Sequence, residues 1–295
     1  MQIFRDCPRK FYWRFVENLE ADRPAMNLEV GSATHEGLAQ LGAGVDLPAS
    51  IVAAKERFRR DLPKRRLPGD DEMYAEGEEL VEKLLIHYVE FWGDQGKMFR
   101  PLGNEVAGTV EVGEGTGIFL RFRTDKFVHA FGGLWIVDHK TAAKMDMREM
   151  MKYQMDLQMT AYIYGATKLL KTRVQGVIVD FLVKTKVPQF NREAFERTDA
   201  ELREFEYNFT NWARTIQRCH FDLGYEGTTD NVYVVPTTEP WLAFPRDEKE
   251  CFRFGTCLYR GLCMDPSNIG LRAEFVRRKE DYVDDAVLLT EGEKP

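Results

Sequence analysis

A chain of 295 residues that is 44% hydrophobic and 12% aromatic carries enough apolar surface to bury a large core, which excludes an intrinsically disordered protein. Its net charge of −7 argues against a protein that coats nucleic acid through bulk positive charge, and its five scattered cysteines are too few for a secreted disulfide scaffold of this length. No apolar run is long enough to span a bilayer, and the opening MQIFRDCPRKF is charged almost at once, unlike a secretory leader, so a cytoplasmic protein with no membrane partner is expected.

From Phe4 to about Arg100 the spacing predicts helices. Phe11, Phe15, Val16 and Leu19 recur at helical intervals, as do Leu80, Leu84, Val89 and Trp92 between Ala75 and Trp92, and Pro48, Pro63 and Pro68-Gly69 punctuate the region. From Glu105 to about Lys140 the pattern turns to strands, EVAGTVEV, IFLRFRTDKFVHA and GLWIVDHK, divided by glycine turns at Gly113 to Gly117 and at Gly132-Gly133. A helix is predicted from Asp146 to about Leu170, followed by VQGVIVDFLV, an apolar run that suits a strand buried on both faces. A last helix, roughly Asp199 to Phe221, precedes an irregular, cysteine-bearing region and an acidic tail beyond Lys279. This order predicts an α/β fold whose mixed sheet carries the Asp138 strand centrally. We read residues 1–295 as a single domain, with a helical region at 1–100, a core at 101–222, a cysteine region at 223–279 and the tail at 280–295.

Basic residues gather at Arg9, Lys10 and Arg14, between Arg57 and Arg66, and at Arg277, Arg278 and Lys279. Solvated helix faces account for most such runs, and the stretch from Arg57 to Arg66 is the candidate for phosphate contact.

In the stretch IVDHKTA, residues two apart on a strand share a side, so Asp138 and Lys140 project together and His139 faces the other way. An exposed ion pair at a strand end is the common explanation of such a spacing. The hairpin turned at Gly132-Gly133 would, however, bring Asp125 of RFRTDKF beside Asp138, and two neighbouring carboxylates repel unless a cation sits between them. Such an oxygen cage suits Mg²⁺ or Mn²⁺. Glu105 is the best further carboxylate and Glu111 the second. A separate constellation is formed by Cys251, Cys257 and Cys263, spaced C-x5-C-x5-C, with Cys7 far upstream; four thiolates serve either zinc or an iron–sulfur cluster. Cys219 stands outside this pattern, as a core thiol.

The set Asp125 and Asp138-His139-Lys140, preceded by His35 in GSATHEGL and followed by Gln158 and Tyr162 in LQMTAYIYG, resembles the PD-(D/E)XK nuclease superfamily. The likeness is to its RecB-type branch, which includes CRISPR-associated nucleases carrying an iron–sulfur cluster, and it runs from Cys7 to Cys263. The resemblance implies a restriction-endonuclease-like mixed sheet flanked by helices. It implies that Asp125, Asp138 and His35 bind the catalytic metal with the backbone carbonyl of His139, that Lys140 is the catalytic lysine, and that Glu105 is an accessory acid. Gln158 and Tyr162, four apart on one helix face, would face the active site. Cys7, Cys251, Cys257 and Cys263 would hold a [4Fe–4S] cluster, with zinc the alternative. The family's commoner cysteine spacing is C-x2-C-x5-C, and Phe122 stands where it usually has glycine. The implied activity is exonucleolytic cleavage of DNA, single-stranded and threaded from an end, aided by a homo-oligomeric ring, a helicase or a CRISPR-type partner. An inactive nuclease fold used for DNA binding or assembly is the alternative function.

Overall fold

The computed structural model describes residues 1–23, 25–60, 62–63, 67–93, 99–224, 239–253 and 255–277. Lys64, Arg65, Arg66, Arg278, Lys279 and the acidic tail lie outside the described residues. In chain order the elements are α1 (Gln2–Asp6), α2 (Pro8–Phe11), a π-helical turn (Tyr12–Val16), β1 (Leu19–Ala21), α3 (Met26–Gly42), α4 (Leu47–Arg60), α5 (Asp70–Trp92), β2 (Arg100–Glu111), β3 (Phe119–Ala130) and β4 (Gly133–Ala142). They continue with α6 (Met147–Met151), α7 (Leu157–Leu170), β5 (Val174–Val183), β6 (Gln189–Glu196), α8 (Asp199–Asp222), α9 (Pro240–Ala243), α10 (Arg260–Met264), α11 (Ile269–Arg272) and β7 (Phe275–Arg277).

The chain divides into two compact units, the larger built from Arg23–Glu111 and Phe119–Phe205. Its centre is a five-stranded mixed sheet in the order β2-β3-β4-β5-β6, so the strand that carries Asp138 is central, as expected. β2, β3 and β4 form an antiparallel meander, β4 and β5 run parallel, and β6 returns antiparallel to β5. Parallel neighbours need a crossover, which α6 and α7 supply. β5 is buried along nearly its whole length, the environment its unbroken apolar run requires. Separately, α3, α4 and α5 enclose Val30, Ala54, Phe58, Val81, Leu84 and Leu85.

Several expectations shift in detail. The β3–β4 turn is formed by Phe131 and Gly132, both at positive φ (51° and 77°), one residue earlier than expected; this is the twist a two-residue hairpin favours. The helix expected from Asp146 to Leu170 is interrupted at Asp156, which adopts an extended conformation and accepts hydrogen bonds from the N–H groups of Gln158 (2.8 Å) and Met159 (3.1 Å), so that α7 starts afresh. β6 was not expected, because its inward Phe190 and Phe195 are separated by polar residues. α8 starts at a reciprocal cap in which Thr198 Oγ1 accepts from the Glu201 N–H and the Glu201 carboxylate accepts from the Thr198 N–H. Phe122 does not interrupt its strand; its buried ring covers Gly165 of α7, where an added Cβ would lie 2.6 Å from it.

Gly176 of β5 has a comparable constraint. A Cβ there would sit 2.4 Å from the backbone oxygen of Phe195 on β6 and 2.7 Å from the Trp135 ring. Gly176→Ala is therefore expected to destabilise the protein by about 1–3 kcal/mol, since paired backbone cannot move aside cheaply. A urea midpoint equal to wild type would contradict this placement.

The smaller unit comprises the described residues of Met1–Asp22, Val112–Ile118 and Glu206–Tyr282. Leu19, expected on a helix, lies instead in β1 and pairs with Arg277 of β7, because Asn18 takes a positive φ of 56° and ends the helical run. Tyr12, Trp13, Phe244, Tyr259 and Leu262 form its buried core, against which Cys219, Cys257 and Cys263 pack.

Candidate active site

The β2–β3 register (Asn104 opposite Lys126, Val106 opposite Thr124) sets Glu105 across from Asp125, and the β3–β4 register, which ends at Lys126 opposite Val137, sets Asp138 at its other side. Three carboxylates thus line up across three strands. Asp125 Oδ2 accepts the backbone N–H of His139 at 2.7 Å and lies 3.1 Å from His35 Nδ1 and 3.2 Å from His139 Nδ1. Burial alone would raise the Asp125 carboxyl, but the hydrogen bonds and charge of His139 and His35 outweigh it and hold the group well below the usual carboxylate range. Burial by itself would lower His35; the Asp125 hydrogen bond and the negative charges of Asp125 and Asp138 reverse that, and its pKa is raised.

Asp138 is buried, and Lys140 Nζ stands 2.9 Å from its Oδ2, an ion contact rather than a well-aligned hydrogen bond. That oxygen has no hydrogen-bond partner among the described residues. Burial pushes the Asp138 carboxyl up, with Lys140 opposing and Asp125 adding to the rise. Glu105 is raised too, by burial and then by Asp125. Lys140 Nζ donates to Gln158 Oε1 (3.1 Å), and Gln158 Nε2 donates to Tyr162 Oη (2.7 Å). The cap at Asp156 thereby aims one face of α7 at the lysine. Burial and the charge of Asp138 and Asp125 push the Tyr162 phenol up, so it stays protonated.

The donor set fits a divalent cation. His35, Asp125 and His139 each offer a ligand atom, all within 4.8 Å of one another, and the buried Asp138 Oδ2, held by the Lys140 ammonium alone, can turn to such an ion. The imidazole of His139 therefore reaches the site, whereas sequence reasoning looked only to its backbone carbonyl. The site opens into a cleft of about 860 Å³ where His35, Glu105 and Asp125 are joined by Arg57, Arg123 and Lys184. Of the expected basic stretch, Arg57 reaches this cleft; Arg123 and Lys184 were not singled out, because isolated cations on strands make no run in the sequence.

Sequence reasoning also missed a buried network behind His139. Asp180 Oδ2 accepts from Tyr88 Oη (2.7 Å) and Arg192 Nε (2.8 Å) and lies 3.9 Å from His139 Nε2. The neighbours are set by register, His139 opposite Asp180 on β5 and Asp180 opposite Arg192 on β6.

In the smaller unit, Cys7 Sγ accepts the backbone N–H of Asp247 at 3.4 Å, Cys263 Sγ accepts Trp13 Nε1 at 3.3 Å, and the N–H of Cys257 bonds to the Cys251 carbonyl at 2.8 Å. Buried Arg9, whose Nε donates to the Phe244 carbonyl (2.7 Å), contributes positive charge toward Cys263 and Cys7. Burial pushes the Cys263 thiol up, against the Trp13 hydrogen bond and Arg9.

The profile of the PD-(D/E)XK nuclease superfamily matches residues 1–264, and the chain belongs to that superfamily. Its mixed sheet with flanking helices agrees with the expected restriction-endonuclease-like fold. Among solved structures, a Eubacterium rectale protein provisionally named an exonuclease is 17% identical, with 74% of this chain and 79% of that one aligned at a TM-score of 0.46. A protein designated SSO0001 is 12% identical, over 60% of this chain and 93% of that one, at a TM-score of 0.28. No curated protein matches the chain significantly. Among the described residues, no helix is long and apolar enough to cross a membrane.

Proposed function

We propose that this metal-dependent nuclease is an exonuclease that hydrolyses DNA, preferring single strands entered from an end. The observation that carries the reading is the meeting of His35, Asp125 and His139 beside the Asp138–Lys140 pair. Asp125, Asp138 and His35 would hold Mg²⁺ or Mn²⁺, with His139 contributing a further ligand atom. A divalent cation there supplies charge that lowers the pKa of water and offsets negative charge developing on phosphorus. Lys140 orients the attacking water, Gln158 fixes the Lys140 ammonium, and Tyr162 fixes the Gln158 amide. Glu105 acts as an accessory acid. Arg57, Arg123 and Lys184 offer positive charge along the cleft for the DNA backbone.

Cys7, Cys251, Cys257 and Cys263 would hold a [4Fe–4S] cluster that joins the two ends of the smaller unit. N–H donors to Cys7 and Cys263 suit cluster thiolates. Four such thiolates serve either centre, and the cluster is the one the family resemblance implies, with zinc the alternative. A homo-oligomeric ring or a helicase would supply the affinity that the chain's net charge of −7 does not.

The test is cleavage of linear and circular single-stranded DNA by anaerobically purified protein with Mg²⁺ or Mn²⁺. Linear DNA is expected to be degraded and circles spared; equal rates on both would refute end dependence. DNA binding with no cleavage of either would favour the inactive binding module. Iron and acid-labile sulfide are expected in the anaerobic protein and should be lost on replacing Cys257 with Ser, while zinc at stoichiometric level in their place would exclude the cluster.

A further inference from the structure

A second cavity, of about 260 Å³, lies within the larger unit and shares none of its lining with the Asp125 cleft. Strands β3, β4 and β6 contribute Lys126, His139 and Arg192 to it, and α5 contributes Tyr88 and Trp92. Two cations therefore face one small space. Arg192 commits Nε to Asp180 and Nη2 to Tyr88 Oη (2.9 Å), and its guanidinium lies 3.7 Å from the Trp92 ring centroid, which leaves Nη1 for another acceptor. Lys126 makes no hydrogen bond or ion pair among the described residues. Trp92 Nε1 is buried and has no hydrogen-bond partner among the described residues.

An indole N–H left dry costs the lost hydrogen bond, and the half-buried Lys126 ammonium has no paired carboxylate among the described residues. The orphan indole donor and the half-buried Lys126 ammonium border a cavity that also carries a guanidinium. The carboxylate in the vicinity, Asp180, is engaged through Oδ2 by Arg192 and Tyr88, and its other oxygen is buried with no hydrogen-bond partner among the described residues. An acceptor with several oxygens and at least one negative charge satisfies Lys126, Arg192 and Trp92 together, and the phosphoryl group matches that demand better than a carboxylate with two oxygens. The space exceeds that of a bare phosphoryl group, and the remainder is walled by Phe99 and Leu41.

We infer that this cavity binds the phosphoryl group of a small phosphomonoester, with the rest of the ligand against its aromatic wall. The site lies beside the Asp125 cleft, with His139 between the two, and the proposal does not depend on the nuclease reading. Two sources carry this chemistry, inorganic phosphate and a deoxynucleoside monophosphate, and titration calorimetry with each, in EDTA and without DNA, separates them. dAMP is expected to bind more tightly than inorganic phosphate if the aromatic wall is used; equal affinities would assign the site to free phosphate and overturn the aromatic contact. Lys126→Met should weaken binding by about tenfold or more, as expected for a lost charge-assisted contact. Because it keeps the stem of a half-buried side chain that holds no ion pair among the described residues, its thermal midpoint should not fall. Lys126→Arg should recover most of the affinity, which a merely structural role for the side chain would not produce. Affinities unchanged in Lys126→Met, or no binding of either compound at millimolar concentration, would overturn the proposal. Neither outcome touches the cleavage assay on which the nuclease reading stands.

Discussion

Lys140→Ala is expected to slow phosphodiester cleavage by about two orders of magnitude or more, with DNA binding little changed. The lysine faces Asp138 Oδ2 at 2.9 Å and Gln158 at 3.1 Å, so its loss removes the group placed to orient water and leaves the buried carboxylate with no ion partner. A second consequence follows from that burial. Lys140 is the principal influence opposing the upward shift of Asp138, so without it the carboxyl rises further and is neutral over a wider range of pH. Cation binding by the variant should therefore need a higher pH than in wild type. Lys140→Arg keeps the charge but not the compact ammonium, and little rescue is expected. Single-turnover cleavage of end-labelled DNA checks the rate; a variant that cuts as fast as wild type would remove Lys140 from the mechanism.

Asp125→Asn is expected to weaken Mn²⁺ binding by about two orders of magnitude and to abolish cleavage at ordinary metal concentrations. This carboxylate is the point on which His35 and His139 converge, and an amide of the same shape carries no charge to hold a cation. The substitution also removes the first-ranked influence that raises His35, so the histidine should become neutral at lower pH in the variant. Two readouts separate a lost ligand from a damaged fold: Mn²⁺ affinity by electron paramagnetic resonance, and the His35 titration by NMR. Unchanged Mn²⁺ affinity with lost activity would place the cation elsewhere.

Much of the site was legible because its parts are local. Asp138 and Lys140 share a strand side by period, the glycine turn announces the hairpin that brings Asp125 alongside, and Gln158 and Tyr162 are one helical turn apart. The hairpin's turn was misplaced by a residue because Phe131, unlike glycine, gives no hint that it takes a positive φ. The break at Asp156 was signalled only by an aspartate within a run of apolar periodicity, which a tertiary contact exploits: Arg197 Nη2 donates to the carbonyl of Tyr153 (2.9 Å) just ahead of the cap.

Hydrophobic period and turn chemistry, which act over short stretches of chain, by themselves indicated the β2–β4 meander and the central place of the Asp138 strand, and the motif residues carried the resemblance to the superfamily. The tertiary structure alone decided that His139 joins the cluster through its ring, that Tyr88, Asp180 and Arg192 stand behind it, and that Lys126 and Arg192 border one cavity. Those neighbours come from α5, β5 and β6, brought together by strand register and helix packing, and the contact of residues about a hundred positions apart leaves no period in the chain from which to read it.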